Sequence, residues 1–248
     1  MVAQIRRSIV VRIAVCLAVV FAGWMAINRY SRAGAADSVK ADLPNPRAAA
    51  IAAFRTNLDY CHPWLVAKDY KSLGQSVGAL SILAGAISRH TAEPGQPQIE
   101  ALQNGIADLS AAAKATDSAK AEKAIDSLPS LIASVENAPL ADKPKAVGKT
   151  AAGFTPLMFT IDGTFVDAKL ALETGDTAAA KSDAIVLAEL GQWLAADRAG
   201  DQWHTQSGDL VKAAQAAAEN ESNDPKALRA VFHNVYTRCE ACHHRNQR

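Results

Sequence analysis

Eight amphipathic segments, separated by short loops that contain proline, glycine or aspartate, follow one another along the chain after residue 46. Alanine dominates their apolar residues and has the highest intrinsic helix propensity. No segment shows the period-two alternation that is typical of strands, so the chain is predicted to be all-α. Pro63 is expected to end the first helix, and Asp117 and Asp224 are expected to cap the fourth and the eighth. The predicted helices cover residues 47–62, 69–90, 98–116, 117–137, 149–174, 177–197, 202–220 and 225 onward.

A proline-containing linker at residues 138–147 divides these segments into two sets of four. The order and length of the segments repeat across it, at an offset of 106 residues that pairs Gly85 with Gly191. Because short loops force consecutive helices to be antiparallel neighbours, two antiparallel four-helix bundles in tandem are expected, at residues 47–137 and 148–248. A single irregular bundle of eight helices is the alternative.

The first 35 residues have the composition of an export segment. An apolar run at residues 13–27 follows basic residues, as in a signal anchor that spans the inner membrane. A cleavable signal peptide is the alternative, with cleavage after Ala35. Basic residues just before that site disfavour cleavage, so residues 1–35 are predicted to be a signal-anchor helix and residues 36–46 a tether. Both interpretations place the remainder in the periplasm, either anchored to the membrane or soluble after cleavage.

The charge distribution excludes one class of partner. The net charge is +1, but the first 35 residues contain five arginines and no acid, so the remainder carries −4. Nucleic-acid binding requires clustered lysine and arginine, and no such cluster occurs beyond the export segment. No nucleophilic triad, phosphate-binding loop or suitably spaced carboxylate pair is present, so no catalytic residues are predicted and the chain is not expected to be an enzyme.

One short motif carries recognisable chemistry. Cys239-Glu240-Ala241-Cys242-His243 has the C-x-x-C-H spacing of covalent haem attachment. On a helix, the cysteines and the histidine share one face, so two thiols can form thioethers with one porphyrin while His243 binds the iron. A zinc site would need two more ligands, and a redox dithiol normally begins a helix beside a strand. One covalently attached haem c is therefore predicted, with Cys239 and Cys242 as attachment sites and His243 as proximal ligand.

The stretch "VYTRCEACHHRNQR", preceded by three amphipathic segments, resembles the class II c-type cytochromes, the cytochrome c-prime family. The resemblance covers residues 148–248. It implies a four-helix haem-binding bundle whose first helix covers the haem face opposite the proximal histidine. A methionine there implies a six-coordinate electron carrier, and an apolar residue implies five-coordinate iron that is open to gases. Asn246 and Gln247 depart from the family, which often has an aromatic and a basic residue at these positions.

Met158 is the candidate sixth ligand, because the other two methionines, Met1 and Met25, belong to the export segment. Packing without ligation is the alternative for Met158, since a thioether fills irregular gaps. His204 and His233 are weaker candidates. Phe154, Phe159, Trp193 and Tyr236 are predicted to wall the haem. Other predicted lining residues are Leu157, Ile161, Phe165, Leu187, Leu190, Leu194, Leu210, Val211, Phe232 and Val235.

The first predicted bundle has no attachment site, because Ala133, Glu136 and Asn137 stand where the second has Cys239, Cys242 and His243. Cys61 is expected to be a buried thiol, and the first bundle to have a docking or spacing role. The predicted function is electron transfer by a membrane-tethered periplasmic monohaem cytochrome, with redox proteins in the periplasm or membrane as partners. A five-coordinate cytochrome that binds NO or CO, or a structural subunit of a larger electron-transfer complex, is the alternative.

Overall fold

α-Helices make up most of the part of the chain that the computed structural model describes, which is residues 45–149, 152–197 and 200–246 without the side chains of 201–202 and 242–246. Within these residues the only strand-like pairing is one bridge between Thr91 and Leu140, so the all-α prediction is confirmed. A short 3-10 helix at Glu93–Gly95 precedes α3. The α-helices are α1 (Pro46–Val66), α2 (Tyr70–Arg89), α3 (Gln96–Lys114), α4 (Ser118–Glu136), α5 (Phe154–Glu173), α6 (Thr177–Asp197), α7 (Asp201–Ala218) and α8 (Pro225–Asn246).

The predicted signal anchor at residues 1–35, and nearly all of the predicted tether at 36–46, lie outside the described residues. None of the helices that are described is both long enough and apolar enough to cross a bilayer. The anchor therefore stays a prediction from the sequence.

Four helices begin directly after an aspartate whose carboxylate accepts a hydrogen bond from a backbone amide of the first turn. Asp69 accepts from Ser72 at 3.0 Å, and Asp117 accepts from Lys120 at 3.1 Å. Asp176 and Asp224 do the same for α6 and α8, at 2.9 and 3.0 Å. Each carboxylate satisfies an amide that has no partner within its helix. The predicted caps at Asp117 and Asp224 are confirmed.

Two predicted helix boundaries are wrong. Pro63 does not end α1, which continues to Val66. The proline lies in the last turn, where its ring removes a single amide donor, and the amide of Ala67 still donates to the Pro63 carbonyl at 3.0 Å. α5 begins at Phe154 rather than at residue 149, because Gly153 has a φ of 85° and interrupts a right-handed helix.

Neighbouring helices form two groups, the first group (α1–α4) and the second group (α5–α8). In the first group each helix packs against the next, and α1 also packs against α4. In the second group α5, α6 and α7 pack in sequence, and α8 packs mainly against α7. Among the contacts between neighbouring helices of either group, the one between α5 and α8 is the smallest. The packing of the second group is therefore loosest between α5 and α8.

The two groups share one buried core, in which α1 packs against α6 and α2 packs against α5. Gly78 lies so close to α5 that an added Cβ would come 2.8 Å from the Cβ of Pro156. Gly85 similarly contacts the ring of Trp193. A glycine at each point lets the helices approach closely, and the described residues form one compact unit.

The turn between α5 and α6 depends on the backbone freedom of Gly175, which has a φ of 81°. No atom lies within 4 Å of an added Cβ there, so only backbone strain opposes a side chain. We expect Gly175→Ala to lower the free energy of unfolding by about 1–2 kcal/mol, measured by urea denaturation. Gly148→Ala is the matched control. Its surroundings are equally open and its φ is not left-handed, so a loss as large as that of Gly175→Ala would contradict the argument.

Candidate functional site

The C-x-x-C-H motif lies on α8, whose backbone is helical from Pro225 to Asn246. Cys239, Cys242 and His243 therefore hold positions i, i+3 and i+4 of one continuous helix, the spacing that puts three residues on one face. Of these three residues, only Cys239 has a side chain that the structure describes. It is partly buried and packs against the shared core.

Cys239 lines a cavity of about 20 Å³ that is enclosed by all four helices of the second group. Met158 lines the same cavity from α5, so two sulfur-bearing side chains far apart in sequence meet at one place. The remaining lining residues are Ile161 and Asp162 of α5, Leu194 of α6, Gln206 and Leu210 of α7, and Arg238 of α8. The predicted attachment residue Cys239 and the predicted sixth ligand Met158 are thus brought together.

The chemistry of the lining fits a haem. A thiol for covalent attachment and a thioether for iron both line the cavity, together with the three aliphatic side chains of Ile161, Leu194 and Leu210. The space is small, since about 10–15 Å³ holds only a single water molecule. Binding a porphyrin would therefore require side chains or helices to move. Separating α5 from α8 would cost the least packing, because the contact between these two helices is the smallest among neighbours in the second group.

Charged and polar side chains form the rim of the cavity. Arg238 lies directly before Cys239, and its Nη1 atom is 3.9 Å from the Asp209 carboxylate of α7. Both side chains are about half exposed, so this pair contributes little to stability. Asp162 is exposed on α5, and Gln206 is partly buried on α7. The cavity is therefore apolar inside and carries both signs of charge at its edge.

The four aromatic residues predicted to wall the haem lie elsewhere. Phe154 meets Trp203 edge-on, with ring centroids 5.9 Å apart. Trp193 contacts Gly85 of the first group, and Phe159 is 37% exposed. Tyr236 is also exposed. None of the four lines the cavity, and a role in walling the haem stays a prediction.

Tyr236 connects α8 to α5 on the outside of the second group. Its ring stacks on Phe165 at a centroid distance of 6.0 Å and on His233 at 6.3 Å. Its hydroxyl donates a hydrogen bond to Glu240, which raises the pKa of the phenol because the carboxylate favours the protonated form. The hydrogen bond between Tyr236 and Glu240 spans one turn of α8, and this turn includes Cys239, the first residue of the motif.

Neither of the alternative histidine ligands lines the cavity. His204 is exposed on α7, and His233 is exposed on α8 beside Tyr236. Among the residues with described side chains, no group of three or more histidine, cysteine or acidic residues is arranged to hold a metal ion.

Cys61 is a buried thiol on α1, as predicted. Its Sγ atom donates to the Asn57 carbonyl at 3.6 Å. Burial, with a smaller contribution from the charge of Asp59, raises the pKa of Cys61 to about 12. The thiol is therefore protonated at neutral pH and unreactive.

A cluster of buried charges joins the two groups. Glu189 of α6 accepts hydrogen bonds from Arg89 and, at 2.8 Å, pairs with Nε2 of His90 at the end of α2. Arg89 also donates to the carbonyl of Lys145 at 2.8 Å and to Gln192 at 3.2 Å. Each of the three guanidinium nitrogens thus donates to an oxygen atom of the linker or of α6. The second group is held against the first by this cluster.

No protein-family model matches the chain, and no curated protein and no solved structure matches it.

Proposed function

We propose that this chain is a monohaem c-type cytochrome that carries electrons, related to the class II cytochromes through residues 148–248. One observation carries the proposal. Cys239 of the C-x-x-C-H motif lines the same cavity as Met158, the one methionine outside the export segment. A chance motif would have no reason to share a cavity with a second residue that can bind iron.

In this proposal Cys239 and Cys242 would hold the porphyrin through thioethers, and His243 and Met158 would bind the iron. The bound haem supplies a one-electron ferric/ferrous couple. Ile161, Leu194 and Leu210 exclude water from the site, which disfavours the more highly charged oxidised form. Histidine and methionine together raise the reduction potential relative to two histidines or water.

We further propose that the first and second groups are two antiparallel four-helix bundles in tandem, joined by the linker at residues 138–147. The packing of consecutive helices within each group supports this arrangement. The first bundle then acts as a docking or spacing element for the haem-bearing one, which the buried contacts of α2 with α5 and α6 support. With residues 1–35 as a signal anchor, the cytochrome faces the periplasm and exchanges electrons with redox proteins there or in the membrane.

The test is the mass and the spectrum of the full chain produced in a host that matures c-type cytochromes. We expect the intact chain to be heavier than its polypeptide by the mass of one haem. We also expect oxidised and reduced spectra that are low-spin and six-coordinate, with slow binding of CO to the reduced form. A bare polypeptide mass would refute the proposal. A haem-bearing chain with high-spin iron and rapid CO binding would instead establish the gas-binding alternative.

Met158 provides a more specific prediction. We expect Met158→Ala to convert the iron from low-spin to high-spin and to accelerate CO binding, because the variant has no thioether at the cavity wall. Val166→Ala is the matched control, since Val166 lies on the same helix, is 52% exposed and does not line the cavity. Ultraviolet–visible spectra of both variants check this. A low-spin spectrum in Met158→Ala would show that the sixth ligand is another residue.

A further inference from the structure

The first half of α8 is held in the second group more firmly than the half that carries the C-x-x-C-H motif. Up to residue 241, the buried side chains of α8 are those of Leu228, Phe232 and Val235. Arg229 also donates a hydrogen bond to the carbonyl oxygen of Leu172 at 2.9 Å, which fastens the first half of α8 to the last turn of α5. The motif half of α8 therefore has less packing to lose when it moves.

An aromatic contact joins the motif half of α8 to α5. The ring of Tyr236 stacks on the ring of Phe165, with ring centroids 6.0 Å apart. Phe165 is partly buried and packs against the shared core, whereas Tyr236 is 42% exposed. Cys239 follows Tyr236 by one turn of α8 and lines the cavity, so this contact lies directly beside the cavity.

Of the two helices, α8 is the one that is free to move away. The first group holds α5 from its other side, through the hydrogen bond from Tyr60 to Asp167 at 2.9 Å and the close approach of Gly78 to Pro156. α8 packs mainly against α7, and its contact with α5 is the smallest between neighbouring helices of the second group. A tilt of α8 about its first half therefore separates the motif from α5 at the least cost in packing.

Tyr236 moves together with α8 in such a tilt. Its hydroxyl donates a hydrogen bond to Glu240, and its ring also stacks on His233. Both contacts stay intact, because all three residues belong to the same helix. Of the three contacts, the stack on Phe165 is the one that must break, and the same contact forms again when α8 returns.

We propose that the stack of Tyr236 on Phe165 closes a gate between α5 and α8, and that the haem-free chain opens this gate to admit a flat apolar cofactor. In the closed form the cavity of about 20 Å³ is far too small for a porphyrin. Opening breaks the stack and exposes Cys239 and Met158 together. Local opening of this kind occurs where few apolar contacts hold an element. That haem enters through the gate rests on the proposed function, whereas the opening itself does not.

The first test measures how often Cys239 becomes accessible in the full-length, haem-free chain in mild detergent. Every chain carries Cys242→Ser, so that Cys239 is the one thiol on α8. The rate of alkylation by iodoacetamide is divided by the rate for the same chain unfolded in urea, and peptide mass spectrometry identifies the alkylated cysteine. We expect Phe165→Ala to raise this ratio roughly three- to tenfold, because the variant lacks the ring on which Tyr236 stacks.

Phe154→Ala is the matched control for the gate. Phe154 also lies on α5, and the variant also lacks an aromatic contact, but that contact is with Trp203 of α7 at a centroid distance of 5.9 Å. Cys61, which is buried on α1, reports general unfolding in every chain. We expect Phe154→Ala to leave the ratio for Cys239 unchanged. An equal rise in the two variants, or a rise at Cys239 that Cys61 matches, would overturn the proposal.

The second test measures the width of the opening with pyrene maleimide, whose fused rings are flat and apolar. If Cys239 reacts through an opening wide enough for a porphyrin, folding slows its reaction with pyrene maleimide and with iodoacetamide by the same factor. We expect this result. If the thiol is instead reached through a narrow crevice of the closed form, folding slows the reaction with pyrene maleimide much more, and the gate is refuted. Both tests use chains without haem, so the gate and the proposed function can fail independently of each other.

Discussion

Replacing both Cys239 and Cys242 with serine is expected to abolish the proposed covalent attachment of haem, so that the intact mass of the variant under denaturing conditions equals that of the polypeptide. A thiolate adds to a porphyrin vinyl group to form a stable thioether, whereas the serine hydroxyl is a far weaker nucleophile. The effect is all-or-none, because the double variant retains no thiol on α8. Mass spectrometry of chains matured in the same host provides the measurement.

Cys61→Ser is the matched control for this experiment. Cys61 is fully buried on α1 of the first group, and its pKa of about 12 keeps it as a thiol at neutral pH. The variant is therefore expected to carry one haem, like the native chain. Haem on the double variant, or its loss from Cys61→Ser, would contradict the assignment of Cys239 and Cys242 as the attachment sites.

The sequence allowed the helices to be predicted because their signals are local. Asp117 and Asp224 cap helices through amides two or three residues away, and alanine-rich amphipathic segments favour helices without help from distant contacts. The two errors arise where a local rule is outweighed. Pro63 lies in a last turn, where few hydrogen bonds remain to be lost, and the break at Gly153 depends on a backbone angle that a glycine permits but does not require.

The cavity could be predicted only in part. Met158 was identified by its rarity, and Ile161, Leu194 and Leu210 by their apolar periodicity, and all four line the cavity. Asp162, Gln206 and Arg238 also line it, yet periodicity assigns polar residues to the solvent face, so no signal in one sequence distinguishes them. The aromatic residues were expected around a haem because they lie in the amphipathic segments predicted to form its walls. Trp193 instead packs against Gly85, a contact between the groups that only the tertiary structure shows.

The buried charges between the groups had no signal in the sequence at all. Arg89 and Glu189 are one hundred residues apart, and none of the other charged residues in their two helices is buried. A charged residue is expected at the surface unless it is paired, and a partner at that separation depends on how the two groups pack. The energetic importance of Glu189 therefore follows from the structure alone.

Replacing Glu189 with alanine is expected to lower the free energy of unfolding by about 3–5 kcal/mol, as is typical when one member of a buried ion pair is removed. The side chains of Arg89 and Glu189 are 9% and 8% exposed, so the variant leaves the guanidinium buried without a carboxylate. Urea denaturation of both chains gives the measurement. Glu136→Ala is the matched control. It breaks the Arg55–Glu136 pair, whose side chains are 38% and 49% exposed, and it should cost less than about 1 kcal/mol.

A further variant separates the two possible reasons for the loss. If the cost comes from an uncompensated buried charge, replacing both Arg89 and Glu189 with methionine removes that charge and should destabilise the chain less than Glu189→Ala does. If the cost comes from lost attraction between α2 and α6, the double variant should be at least as unstable as the single one, because it also lacks the bonds from Arg89 to Lys145 and Gln192. We expect the first outcome, since desolvation of a single buried ion exceeds the net stabilisation that a buried pair provides.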